Sequence, residues 1–221
     1  MKRLFFIFVL VVLLVATQAA GGGKIPMGLK AGLNIANISG DDAEDPSSRM
    51  GFTVGGFVEY PLSPMISVMG EVTYANKGGE AVCTYAEPAA LTEPLTLNET
   101  YKFSYIEIPI LLKLNVPTSG NIKPYLLLGP GVAFNIGADF EEANHDYSFE
   151  EDIGDYTKAI DFGMIFGGGV GFPVGSRMMS LGARYERGLT TIDDGLAEHW
   201  DDDGEYDIKN SVISILAGFQ F

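Results

Sequence analysis

Residues 51–60, GFTVGGFVEY, place Phe52, Val54, Val58 and Tyr60 on one parity and Thr53, Phe57 and Glu59 on the other. A period of two makes a β-strand with two unlike faces. The same alternation recurs in eight segments: 27–37, 49–60, 65–77, 101–115, 122–137, 159–173, 177–190 and 207–221. Most are longer than the five or six residues common for strands in soluble domains. They suit tilted strands crossing a bilayer, which need about 9–11 residues. The connections alternate in length. Those at 61–64 (PLSP), 116–121 (VPTSGN) and 174–176 (VGS) are tight, whereas those near 38–48, 78–100, 138–158 and 191–206 are long. Short and long connections in turn describe an up-and-down meander whose two rims face different surroundings. The pattern predicts an all-β fold: an eight-stranded antiparallel up-and-down transmembrane β-barrel.

The two faces of each strand say which side is inside. One face carries the bulky apolar residues, as in Leu29, Leu33 and Ile35, in Ile106, Ile108, Ile110, Leu112 and Leu114, and in Ile213, Ile215, Phe219 and Phe221. The other carries Lys30, Asn34, Glu59, Glu71, Glu107, Lys113, Asn135, Asp161, Arg184, Glu186 and Gln220, with many glycines. Bulky apolar residues towards lipid, with small and charged residues inside, is the membrane-barrel arrangement. A soluble lipocalin-like barrel would have no reason to keep charge off its outer surface. Glu59, Glu71, Glu107, Asp161 and Glu186 all take the inward parity, and the remaining carboxylates lie in or beside the long connections. Aromatic residues gather towards both strand ends, Phe52, Tyr74, Phe134, Phe162 and Tyr185 at one and Tyr60, Phe172, Phe219 and Phe221 at the other, as interfacial girdles do. The Glu59 face of the opening segment is therefore expected to be interior.

Charge and composition narrow the functions. The 221 residues suit one domain. With 29 Asp and Glu against 14 Lys and Arg, a net charge of −15, the chain lacks the basic footprint of a nucleic-acid binder. MKR, then the apolar run 4–16, then TQAAGGG is the layout of a secretory signal peptide. This predicts cleavage near Ala19 or Ala20, with residues 1–20 removed and 21–221 forming the barrel domain. The single cysteine, Cys83, cannot form an intramolecular disulfide.

The stretches GLKAGLNIANISGD (28–41), YIEIPILLKL (105–114), KPYLLLGPGV (123–132), DFGMIFGGGVGF (161–172) and ARYERGLTTI (183–192) occur in the order found in a known family. With them the chain resembles the porin-family or PorT-like outer-membrane β-barrel domain of Bacteroidetes and related Gram-negative bacteria. The resemblance covers nearly all of the mature chain and implies an eight-stranded barrel of the OmpA/OmpX type in the outer membrane. The ending SILAGFQF, with Phe219 and Phe221 at alternate positions, resembles the signal read by the barrel assembly machinery. It departs from the family pattern in having Leu216 where a glycine is usual.

Candidate chemistry is sparse. The two histidines, His145 and His199, fall in acidic loops rather than in a cluster with serine and carboxylate, and no G-x-S-x-G is present, so no enzyme activity is expected. The acidic runs at 41–45 (DDAED) and 199–207 (HWDDDGEYD) have oxygen ligands but no EF-hand spacing; no metal site and no cofactor is assigned. The inward charges Lys30, Glu59, Glu71, Glu107, Lys113, Asp161, Arg184 and Glu186 are expected to pair and fill a narrow lumen. The expected role is structural or surface-binding, through long acidic extracellular loops, with a narrow channel as the first alternative and a lipid-modifying enzyme a distant one. Loop two (78–100) is the least charged and the expected contact for a partner; Tyr101–Ser104 would extend the fourth strand and offer an exposed edge. Expected partners are outer-membrane lipid and lipopolysaccharide, the assembly machinery and an unidentified surface or periplasmic protein. The chain is expected to be a monomer.

Overall fold

The structure is a computed structural model that describes residues 25–41, 47–85, 95–144, 148–199 and 206–221. The predicted signal segment therefore lies outside the described residues, as do His145, most of the 41–45 acidic run and most of the 199–207 run. Nine strands are present among the described residues: β1 (Met27–Ser39), β2 (Arg49–Pro61), β3 (Ile66–Tyr85), β4 (Leu95–Asn115), β5 (Lys123–Ala143), β6 (Ser148–Asp152), β7 (Ile160–Val174), β8 (Arg177–Gly188) and β9 (Lys209–Gln220). A four-residue helix, α1 (Leu196–His199), lies between β8 and β9.

Eight of the strands close a barrel. Each pairs antiparallel with its neighbours in the sequence, β6 aside, and β9 returns to β1 from Gly28↔Gln220 to Ser39↔Lys209. Closure is what a hydrocarbon solvent demands, because every backbone donor and acceptor must find its partner within the protein. The short turns are locally encoded. Gly175 takes φ 63° between β7 and β8, a left-handed value that suits glycine. Between β2 and β3, Ser63 Oγ accepts from the Ile66 amide at 3.1 Å.

The apolar parity faces outward. Leu29, Leu33, Phe52, Val54, Ile110, Leu126, Leu128, Phe162, Phe166, Leu181, Ile213 and Ile215 all lie on the outer surface, while Thr53 and Glu59 of the opening segment are buried inside. At the long-loop end the belt acquires polar tips. Tyr74 Oη meets Ser104 Oγ at 3.1 Å beside its ring contact with Phe52, and Tyr185 Oη meets Ser211 Oγ at 3.0 Å. Apolar ring below and hydrogen-bonded hydroxyl above is how tyrosine marks a membrane interface.

Three strands outrun the expected boundaries. β3 has 20 residues and β4 and β5 have 21 each. At about 3.3 Å per residue such a strand runs about 65 Å. Tilted by about 40° it rises about 50 Å, roughly 25 Å more than the apolar band of an outer-membrane barrel. The Gly78-Gly79 pair, which reads as a loop opening, instead continues β3: Gly78 takes φ 123° and stays paired with Lys102. A Cβ there would sit 1.9 Å from the Tyr101 carbonyl oxygen, so the glycine serves a close strand approach. Loop two is accordingly a long hairpin, with pairing out to Tyr85↔Leu95. The expected exposed edge at Tyr101–Ser104 is also corrected. Those residues pair with β3 on one side and with β5, Phe140 to Gly137, on the other. β6 adds a fourth strand, Ser148↔Ala143 to Asp152↔Asp139.

Candidate functional site

The inward charges fall in three tiers. The middle tier is a line of six charges alternating in sign across the lumen. Lys30 Nζ on β1 donates to Glu71 Oε1 on β3 at 2.5 Å, and Arg184 Nη1 on β8 donates to Glu71 Oε2 at 2.9 Å. Arg184 Nη2 lies 3.7 Å from Glu107 Oε2 on β4. Lys77 Nζ, again on β3, reaches Glu107 Oε1 at 2.5 Å and Glu186 Oε1 on β8 at 2.6 Å. Three cations face three carboxylates and all six are buried. Charge taken from water is tolerable only in such company, where each ion is paired and hydrogen-bonded.

Nearer the short turns, Lys113 Nζ donates to Glu59 Oε2 at 2.8 Å and lies 4.9 Å above the Tyr125 ring. Met69, Leu111, Leu127 and Ile165 pack together inside, with Phe57 and Tyr125 against them. Towards the long loops, Asp161 accepts from Thr190 Oγ1 at 2.7 Å and from Asn210 Nδ2 at 2.9 Å, and Asn210 Nδ2 also reaches Tyr105 Oη at 3.2 Å. The structure thus gathers Lys30, Glu71, Glu107, Arg184 and Glu186 into one cluster, sets Lys113 with Glu59 apart from them, and leaves Asp161 with neutral partners.

Lys77 is the group that the sequence reading passed over. It shares the parity of Glu71 and Thr73, so alternation carried to the end of its segment would have found it. The long-loop end holds a second omission. Ile153, Ile192 and Leu196, from connections otherwise rich in acid, are at most 1 % exposed. They pack on Ile38, Phe103, Tyr105, Phe140 and Ile208 as an apolar cap over the charges. Asp193 ties the cap down: Oδ1 accepts from the Gly195 and Leu196 amides at 3.0 and 2.6 Å, and Oδ2 from the Tyr206 amide at 2.6 Å. The signal was an isolated isoleucine or leucine amid carboxylates, which is weak without a partner in view.

Beyond the membrane, Lys102 on β4 bridges Glu141 of β5 and, at 3.4 Å, Glu150 of β6. The hydrogen bond to Glu141 holds its ammonium above the ordinary lysine range. His199 Nε2 lies 3.3 Å from Glu151, and its ring stacks on Tyr156 at 4.0 Å. At the opposite end Phe219 and Phe221 face outward beneath the Arg177 guanidinium, 5.9 and 5.8 Å from their ring centres. Among the described residues, no group of three His, Cys, Asp or Glu is placed to hold a metal ion.

A closed eight-stranded barrel with an apolar exterior and an ion-paired interior is a membrane protein of the OmpA/OmpX size. The chain belongs to the outer membrane protein beta-barrel domain family, whose sequence model it matches over residues 17–194. It is an integral β-barrel protein of the bacterial outer membrane. Among solved structures it is similar to Ail, the attachment invasion locus protein of Yersinia pestis, at 15% identity and a TM-score of 0.42, covering 89% of this chain and 99% of that one. It is also similar to Neisserial surface protein A, at 14% identity and a TM-score of 0.47 over 88% and 97%. The N-terminal β-barrel domain of Pseudomonas aeruginosa OprF shares 10% identity, with a TM-score of 0.34 over 87% and 97%. No curated protein matches the sequence.

Proposed function

We propose that this is a non-enzymatic surface protein whose extracellular end does the work, the barrel serving as a membrane anchor closed to passage. The observation that carries the reading is the sheet of β3, β4, β5 and β6, which stands about 25 Å clear of the apolar band above a lumen occupied by ion pairs and an apolar cap. A rigid scaffold presenting long segments outside is where binding function usually sits. Its open edges among the described residues are β3 beyond Glu80 and the outer side of β6. The partner-contact role expected of loop two passes to this hairpin sheet, in a lipid and lipopolysaccharide setting.

The channel reading gains nothing from a lumen whose middle is packed with paired charge. For a lipid-modifying enzyme the wanted feature is an outer-rim histidine aligned with a serine, and His199 instead contacts Glu151 and Tyr156. In the same reading residues 1–20 direct export, 21–221 form a monomeric mature barrel, and the assembly machinery reads Phe219 and Phe221. The test is adherence. Cells displaying the wild-type protein are expected to differ in surface attachment or aggregation from cells displaying a variant lacking 80–98 whose barrel still folds. If every surface interaction is the same, the reading falls.

A further inference from the structure

The short-turn end, periplasmic in outer-membrane barrels, opens into a cavity of about 390 Å³ that reaches inward to Lys30 and Arg184. We propose that this cavity binds a small soluble organic anion, a carboxylate or phosphate head on a short apolar tail, entering from the periplasm. The volume lies within the range of small-molecule sites, about 300–1,000 Å³.

The sign of the wall is the first argument. Lys30, Lys113, Lys123 and Arg184 line it, and Glu59 is the one carboxylate that does so among the described residues. Glu71, which neutralises Lys30 and Arg184, has a fully buried side chain and is not part of the lining. The cations of the deep ion pairs thus reach the cavity wall, while the carboxylate that pairs them does not. In a chain of net charge −15 this is a local reversal of sign, and low-dielectric walls concentrate such a field.

Unused polar capacity is the second argument. Lys123, at the mouth, makes no ion pair among the described residues. Arg184 is 3 % exposed, and its Nε has no hydrogen-bond partner among them. That nitrogen is sealed from the cavity, so the spare charge an entering anion meets is that of Lys123. The third argument is shape. Met69, Leu127 and Leu216 give the cavity apolar side chains, and Gly171, Gly182 and Gly218 on β7, β8 and β9 add no bulk of their own to its wall. Room for a short tail thus lies beside the cations. A lipid is not the occupant, because the cavity opens inside the closed ring of strands.

The test uses the full mature protein in zwitterionic phosphatidylcholine nanodiscs, ¹⁵N-labelled and titrated with hexanoate, hexyl phosphate and hexylammonium. Saturable amide shifts are expected at Lys113, Lys123, Gly218 and Gln220 with either anion, with hexylammonium at least about tenfold weaker. Two variants probe the sign of the wall: Lys123→Glu at the exposed mouth, and the isosteric Asn115→Asp in the lining. Each is expected to weaken the anions about tenfold or more while keeping the heat-modifiable gel mobility of a folded barrel. The proposal is overturned by no saturation below roughly 50 mM, by an equal response to hexylammonium, or by unchanged affinity in both variants. Shifts spread over the lipid-facing amides would overturn it too, since they report partition into the bilayer.

Discussion

Lys77 holds two carboxylates at once, Glu107 at 2.5 Å and Glu186 at 2.6 Å, so its removal does more than delete one bond. Lys77→Met leaves like charges facing each other with one cation fewer, and breaking a buried ionic group in this way costs about 3–5 kcal/mol. The expected result is a lower urea midpoint for the variant refolded in vesicles, followed by gel mobility. Adding Glu186→Gln to Lys77→Met should recover part of the loss, because it removes the carboxylate that no longer has a partner. Additive losses in the double variant would mean that the two side chains act independently. At this scale the inward parity of Lys30, Glu71, Glu107, Arg184 and Glu186 can be read directly, since it depends only on odd and even positions along a strand. Their partners cannot, because Glu71 and Arg184 are 113 residues apart and meet only through the barrel's register.

Strands differ in what their ends meet. Across the membrane, β9 presents Ile213 and Ile215 to lipid and Val212, Ser214 and Leu216 to the interior. Ile215→Arg puts a cation in the apolar band and is expected to cost about 2–4 kcal/mol. The matched change Ser211→Arg, at the outer interface beside Tyr185, should cost about 0–1 kcal/mol. Equal losses at the two positions, measured by the same urea titration, would remove the membrane boundary inferred from the tyrosine belt. Above that boundary, Lys102 joins β4, β5 and β6. Its folded-state value is raised, so its contribution is fully present below the ordinary lysine range and is lost as pH climbs through the raised value. Hydrogen exchange in β6 should therefore be protected through neutral pH and loosened by Lys102→Met. Fraying already complete at pH 8 would contradict that order. The extension of β3 was hidden because Gly78-Gly79 carries a turn composition, whereas the backbone uses Gly78 for a positive φ within a continuing strand.

Across the whole molecule, ion pairs fill the middle of the lumen and Ile153, Ile192 and Leu196 pack over it at the long-loop end. Planar bilayers holding folded protein are expected to show no conductance steps. Glu107→Gln and Arg184→Met should stay silent as well, since the cap persists when the charge line is broken. Steps in the wild type whose ion selectivity changes in either variant would make the inward charges the lining of a water path. On the proposed reading, the cavity at the short-turn end and the sheet at the long-loop end are two separate binding ends of one anchor.

By itself the sequence determined the number of spanning strands, which connections are tight, and which face of each strand meets lipid. These follow from parity, spacing and turn chemistry, all of them local. The tertiary structure decided which charges meet, that Lys77 stands among them, that apolar residues of acidic loops cover the lumen, and that β3, β4 and β5 continue beyond the membrane. Those outcomes depend on shear and register around a closed sheet, which bring together residues that no local window contains.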